Sequence, residues 1–530
     1  MRSAIFALAL PSLFSLTASA QELSPQSLFN RCYIQLTGKP VPLNHSLMNQ
    51  VKSGKINALD ACRTILHKGQ LSASGEVNRN DAEAKAVLNT FYSFHRTWFT
   101  SNNLDTISGY NSGEHNGTVD IYDATEPALS VTYSVFGAGQ KYEQTLRRTT
   151  GVKAIRVEDE AIKARQKWIG SHAGRFMANN LDMQNSLFSF RDPTKVFTTV
   201  SRNINRHVAV FKSMPTIQVG DLVGIRPISD QFNVPNISLK PQGDSRSDKG
   251  SLDENLNYSY EFFQNYGGGV IGSPIYLLQY FGHSFNMKFN GGSKVARRWS
   301  QQNMESFLCA SLPALRESDV TQFVDAKSSL AFRNSTSCVM CHATLDPMAY
   351  TARNLTTGAM DIFRVTQNGD VTRDADGKQI NPPPAFVRNA VAITSYKASK
   401  ASVAGWPSEA VADFHLQKPT GRLYFRSVTG ALINKPVTNM ADLGKAMSET
   451  EDYYLCAAKR YFEFMTGIQV PLYDRTDPRN SELNRSLSKE AKEDRAYVES
   501  LAKVLAGNGS VLEVVEEIMR SPYYTKENFR

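Results

Sequence analysis

Apolar positions along this chain recur mostly at helical spacing. Ser24-Pro25 is an N-cap followed by proline at the first helical position, which predicts a helix running to Thr37 and stopping at Gly38. A second helix is predicted over residues 57–68, stopped by Gly69. Val87, Phe91, Phe94 and Trp98 form one apolar stripe, with His95 beside it read as a packed or surface histidine. Residues 161–180, 294–309, 441–465 and 489–506 also read as helices, the last stopped by Gly507. The stretch Val511–Arg520 carries a capping box, Ser510 with Glu513, and Pro522 lies beyond its end.

Strand signals are fewer. One hairpin is predicted from 362–365 and 371–373 around Asn368-Gly369, another from 423–426 and 431–433 around Thr429-Gly430. Residues 234–258 are rich in Pro, Asn, Ser, Asp and Gly and read as a long loop or linker. Gly267-Gly268-Gly269 reads as a turn before the apolar run 270–280, because no Gly-Lys-Ser/Thr completes a phosphate loop. The expected fold is mainly α and multi-domain. It comprises a leader (1–20), an N-terminal helical domain (21–233), a linker (234–266) and a C-terminal domain with small hairpins (267–530). With 530 residues, the chain exceeds what one hydrophobic core usually serves.

The first twenty residues read as an export signal. Arg2 supplies the positive end, an apolar segment follows, and Ala18-Ser19-Ala20 is a small-x-small cleavage site. The apolar segment is too short to span a bilayer, and no later one reaches 18 residues. The expectation is an exported, periplasm-type protein with no transmembrane segment in the mature chain. Net charge is +9, or +8 without Arg2. No run of five Lys or Arg occurs, which argues against nucleic-acid binding; a weakly basic face could steer an acidic redox partner.

Six cysteines refine this picture. Cys338-Val339-Met340-Cys341-His342 has the spacing of a c-type haem attachment site. Two thiols three apart can add across the two vinyl groups of one haem, and the next residue brings an imidazole to the iron. By composition, the odds of a chance match are roughly one in a thousand. The expected cofactor is one covalent haem c, held by Cys338 and Cys341, with His342 as proximal ligand. A thioredoxin-like pair needs no histidine here, a zinc site lacks a second ligand pair, and a Cys338–Cys341 disulfide would be strained. For the distal position, Met340 and Met348 lie too close to His342 in the chain. Met447 and Met465 lie on a helical stripe. Met440, read as a loop residue, is the first choice, then Met360, with His283 the histidine alternative. The Pro347 carbonyl is a candidate acceptor for the second ring nitrogen of His342. Cys32, Cys62, Cys309 and Cys456 allow three disulfide pairings; the nearness of two short helices favours Cys32–Cys62, leaving Cys309–Cys456.

The stretch 338–350, CVMCHATLDPMAY, resembles the haem signature of planctomycete-type cytochrome c proteins, large exported proteins built from several domains of unknown function. Ala349 stands where that pattern has glycine, and Ala352-Arg353-Asn354-Leu355 departs from its acidic-Asn-Phe-Asp segment. Gly268 to Pro274, Arg297-Arg298-Trp299 with Cys309, Cys456 with Arg460-Tyr461-Phe462, and Ser521-Pro522-Tyr523-Tyr524 resemble further segments in the same order. The resemblance spans 267 to the C-terminus, and more faintly the N-terminal half. It implies haem binding and electron transfer and supplies no substrate. Two other uses of one haem stay open, a peroxidase- or oxygenase-like oxidoreductase and a surface or scaffold protein with a structural haem. No Ser/His/Asp set, zinc-protease helix or dinucleotide glycine motif is found. Intact mass and N-terminal sequencing of exported material should give a mature chain beginning at Gln21; a chain that retains Met1 would refute the cleavage site.

Overall fold

The N-terminal helix signals correspond to real caps. In the computed structural model, Ser24 Oγ accepts the Ser27 N–H at the start of Pro25–Thr37, and Gly38, in the left-handed region at φ 66°, ends it. Asn57 caps Ala58–His67, and Asp81 Oδ1 accepts the N–H groups of Glu83 and Ala84 to open Ala82–Arg96. The structure describes residues 21–99, 125–157, 220–227, 265–280, 296–364 and 417–527. It also describes the strand segments 176–179, 207–209, 237–238, 240–241, 257–258 and 388–395. The protein is mainly helical. No helix among the described residues is long and apolar enough to cross a membrane.

One apolar core joins the two ends of the chain. It runs from Leu28, Phe29 and Leu36 in the first helix to Tyr461, Leu501, Val515 and Tyr524 near the C-terminus. Each such side chain contributes roughly 1.5–3 kcal/mol on burial. A polar seam follows the same junction. The nearly buried Glu516 carboxylate accepts Arg63 Nε at 3.2 Å and Arg520 Nη2 at 2.9 Å, and lies 2.6 Å from His67 Nε2. Two disulfides staple this core. Cys32–Cys62 joins the first and third helices, with Cα atoms 6.0 Å apart. Cys309–Cys456 joins Arg297–Leu308 to Glu451–Thr466, at 5.2 Å. Both are the pairing favoured by the sequence.

Several elements differ from expectation. Residues 176–179, expected as the end of a helix, form the strand Phe176–Asn179. That strand sits between His207–Ala209 and Leu355–Arg364 in a five-stranded antiparallel sheet, so pairing overrides a weak helical preference. The partner of Leu355–Arg364 on its other edge is Arg388–Ser395, with Ile362 opposite Arg388, rather than 371–373. Residues 371–373 lie outside the described residues. Within the expected linker, Ile237–Ser238 pairs with Asn257–Tyr258, and Lys240–Pro241 extends the five-stranded sheet. The second hairpin is present, Gly421–Arg426 against Leu432–Val437. The predicted helix 441–465 is two, Met440–Ser448 and Glu451–Thr466, because Thr450 Oγ1 caps the second by accepting the Tyr453 N–H. The helix expected to stop at Gly507 continues to Asn508, where Gly509 takes the left-handed cap.

His95 is fully buried in this core. Thr132 Oγ1 donates to the Ala128 carbonyl, so it accepts from His95 Nδ1–H at 2.8 Å, leaving Nε2 to accept the Tyr461 hydroxyl at 2.8 Å. Both nitrogens are satisfied in the neutral ring, Nδ1 as donor and Nε2 as acceptor. Burial, aided by the Arg460 charge, pushes the imidazole down to about 3. The unfolded chain therefore binds the proton more readily. The stability is complete above about pH 6.5 and is lost as pH falls toward 3, on the order of several kcal/mol. Urea midpoints measured between pH 7 and 4 should fall steeply in the native chain and less in His95→Gln, which starts lower at pH 7. Equal slopes would remove His95 from this role.

Candidate functional site

Thr336–Ala349 is a single helix that contains the whole Cys338-to-His342 motif. At 100° per residue, Cys338, Cys341 and His342 fall within about 100° of one face. Val339 and Met340 point elsewhere, into a small core with Leu315, Val320 and Tyr424, while Met348 and Ala349 enter the main core. The helix is thus anchored beside the motif by the small core and, at its C-terminal turns, by the main core, while its N-terminal half carries the thiols and the imidazole. Its C-terminal turn abuts the hairpin at Gly421, where a side-chain carbon would come 2.1 Å from the Pro347 carbonyl oxygen. Only glycine permits that approach.

Cys338 and Cys341 are free thiols of intermediate exposure. Burial and the neighbouring Cys338 push the Cys341 thiol up, partly countered by Arg479. His342 is half-buried and stacks face to face on Phe332, with ring centres 4.7 Å apart and planes at 26°. Its Nδ1 lies 3.2 Å from Asp346 Oδ2, one helical turn on. Asp346 in turn receives the Arg297 guanidinium, through Nε to Oδ1 and through Nη2 to Oδ2 at 3.1 Å. A carboxylate rather than a backbone carbonyl therefore faces the second nitrogen of His342. This corrects the expectation for Pro347, whose carbonyl is turned toward Gly421.

Asp346, Arg297 and Phe332 were not among the expected site residues. Asp346 was within reach of the sequence, since an acidic residue four after a histidine shares its helix face. Arg297 lies 49 positions away and Phe332 on a separate short helix, and no local signal ties either to His342.

Met440 is not in a loop; it is the first residue of Met440–Ser448, capped by Asn439, and is 3% exposed in the main core. Its carbonyl packs against Gly268, where a side-chain carbon would come within 2.5 Å. Met360 belongs to the strand Leu355–Arg364, and His283 lies outside the described residues. Met340 Sδ faces Arg479 Nη1 at 3.7 Å, and Met348 Sδ faces Asn303 Nδ2 at 3.9 Å.

No protein-family model, curated protein or solved structure matches this chain. Replacing Arg297 by alanine leaves the mostly buried Asp346 without its fork of donors. We expect a loss of about 1–3 kcal/mol in urea unfolding, with Arg297→Lys retaining only part of the difference because an ammonium cannot make the fork. An unchanged Arg297→Ala midpoint would show that the pair does not hold the motif helix.

Proposed function

We propose that this chain is an exported mono-haem c-type cytochrome of the planctomycete type, whose role is electron transfer. The observation that carries the reading is the Cys338-Val339-Met340-Cys341-His342 sequence on one helix face, with both thiols unpaired and the imidazole held from behind. The residues fit the group. Cys338 and Cys341 offer two thiols on the same side, and His342 keeps Nε2 for iron while Nδ1 is engaged by Asp346. Haem, once attached, would supply a one-electron couple. Asp346 fixes the tautomer and ring plane of His342, Arg297 fixes Asp346, and Phe332 covers one face of the imidazole. No distal ligand is proposed, because Met440 is committed to core packing.

Two disulfides and the lack of a membrane-crossing helix among the described residues agree with export into an oxidising compartment. The basic balance of the chain suits an acidic redox partner.

Material exported from a host that attaches c-type haem should show one haem per chain by pyridine haemochrome and by intact mass. The colour should survive denaturation. Cys338→Ala or Cys341→Ala should each leave a single thioether and a shifted haemochrome band, and the double substitution should leave no covalent haem. Colourless exported protein, with both thiols free to alkylation, would end the cytochrome reading.

A further inference from the structure

Segments from near the two ends of the chain meet in a clasp. Leu23 N–H donates to the Thr525 carbonyl at 2.8 Å, and Glu527 N–H donates to the Gln21 carbonyl at 2.8 Å. Glu22 lies opposite Lys526 in an antiparallel bridge. Arg31 Nη1 donates to the Tyr524 carbonyl at 2.9 Å, and its guanidinium lies 4.6 Å over the Tyr524 ring. Gln21, the first residue of this clasp, directly follows Ala18-Ser19-Ala20, the expected cleavage site.

Gln21 enters the clasp through its carbonyl, and the residue is exposed. Cleavage after Ala20 turns its backbone nitrogen into an α-amine. In a terminal glutamine that amine and the side-chain amide carbon close a five-membered ring, an intramolecular reaction of high effective concentration. An α-amine ordinarily titrates at about 7.7–8.0, so near neutral pH a fraction of it is the free base that attacks. The clasp leaves ring closure free. The carbonyl it holds lies outside the ring, whose atoms are the nitrogen, Cα, Cβ, Cγ and Cδ.

We propose that Gln21 is a modification site, at which the mature N-terminus closes to pyroglutamate. The free-base amine attacks Cδ of the side-chain amide. The N–Cδ bond of the lactam forms, the Cδ–Nε2 bond breaks, and one amine proton leaves with Nε2 as ammonia. No oxidant, reductant or second substrate enters. The product carries no ammonium, so one positive charge is removed from an end of the fold that already holds Arg31 and Lys526, while Glu22 keeps Lys526 at 3.8 Å. The proposal rests on the export reading, because Gln21 has an α-amine only once the leader is gone. It does not depend on haem.

Amines of the full exported protein can be labelled by reductive dimethylation before any digestion. Trypsin then releases residues 21–31, which contain no lysine, so a label on that peptide reports the α-amine alone. By mass spectrometry, the native peptide should be unlabelled and lighter by one ammonia than its open glutamine form. In Gln21→Ser, whose side chain cannot close the ring, the same peptide should be labelled. A native peptide that is labelled and retains the ammonia overturns the proposal, as does an unlabelled Gln21→Ser peptide, because the block would then not be the ring. A peptide that begins upstream of residue 21 overturns it through the cleavage reading, and its sequence tells that failure from the others.

Discussion

Asp346 is the junction on which the geometry of the motif rests. Its side chain is 12% exposed and lies between Arg297, from the preceding long helix, and His342, from its own. A carboxylate so placed is costly unless its lone pairs are filled by donors. The guanidinium fork fills them and fixes the angle between the two helices. The same carboxylate then fixes which nitrogen of His342 is engaged. Cys309, at the end of that preceding helix, is tied by disulfide to Cys456, so the Arg297 side of the junction is stapled to the main core. Orientation of the imidazole is therefore a consequence of tertiary packing, transmitted through one side chain.

Local chemistry was readable where a few adjacent residues decide it. Ser24-Pro25 with Gly38, Ser510 with Glu513, and the hairpin around Thr429-Gly430 each carry their own stop or turn signal, and each is present in the structure. The break between Ser448 and Glu451 was missed because an apolar stripe continues across it, and the Thr450 cap is a weaker signal than that stripe. The strand Phe176–Asn179 was missed for a different reason. Its pairing partner, Leu355–Arg364, lies nearly two hundred positions away, so nothing nearby announces it. The Cys338-to-His342 motif was legible as a spacing of five residues, whereas its support was not, since Arg297 and Phe332 reach Asp346 and His342 only through the fold.

Met440 illustrates the same limit from the other side. As a sequence position, it follows Pro436 and precedes an apolar stripe, which favours a loop. In the structure, Leu432–Val437 is a strand that runs on through Pro436, and Asn439 immediately caps a helix. The turn between them is two residues long, and Met440 is drawn into the core against the glycine turn at 267–269. All three residues of that turn have positive φ; Gly267 and Gly268 let Met440–Ser448 approach this closely, and Gly269 lets the Thr145 carbonyl do so.

The environment of the two thiols bears on which chemistry they suit. A reactive dithiol needs a lowered thiol pKa, usually from a helix N-terminus or a nearby cation. Here burial and the neighbouring Cys338 push Cys341 up, and Arg479 only partly opposes them. A metal ion bound directly would need sulfur and nitrogen converging within about 2.0–2.3 Å of one point. No group of three or more His, Cys, Asp or Glu side chains among the described residues converges in that way. What remains is an arrangement of thiols and imidazole spread along a helix face. If the chain carries the proposed haem, Cys338 and Cys341 would hold it covalently and His342 would ligate its iron.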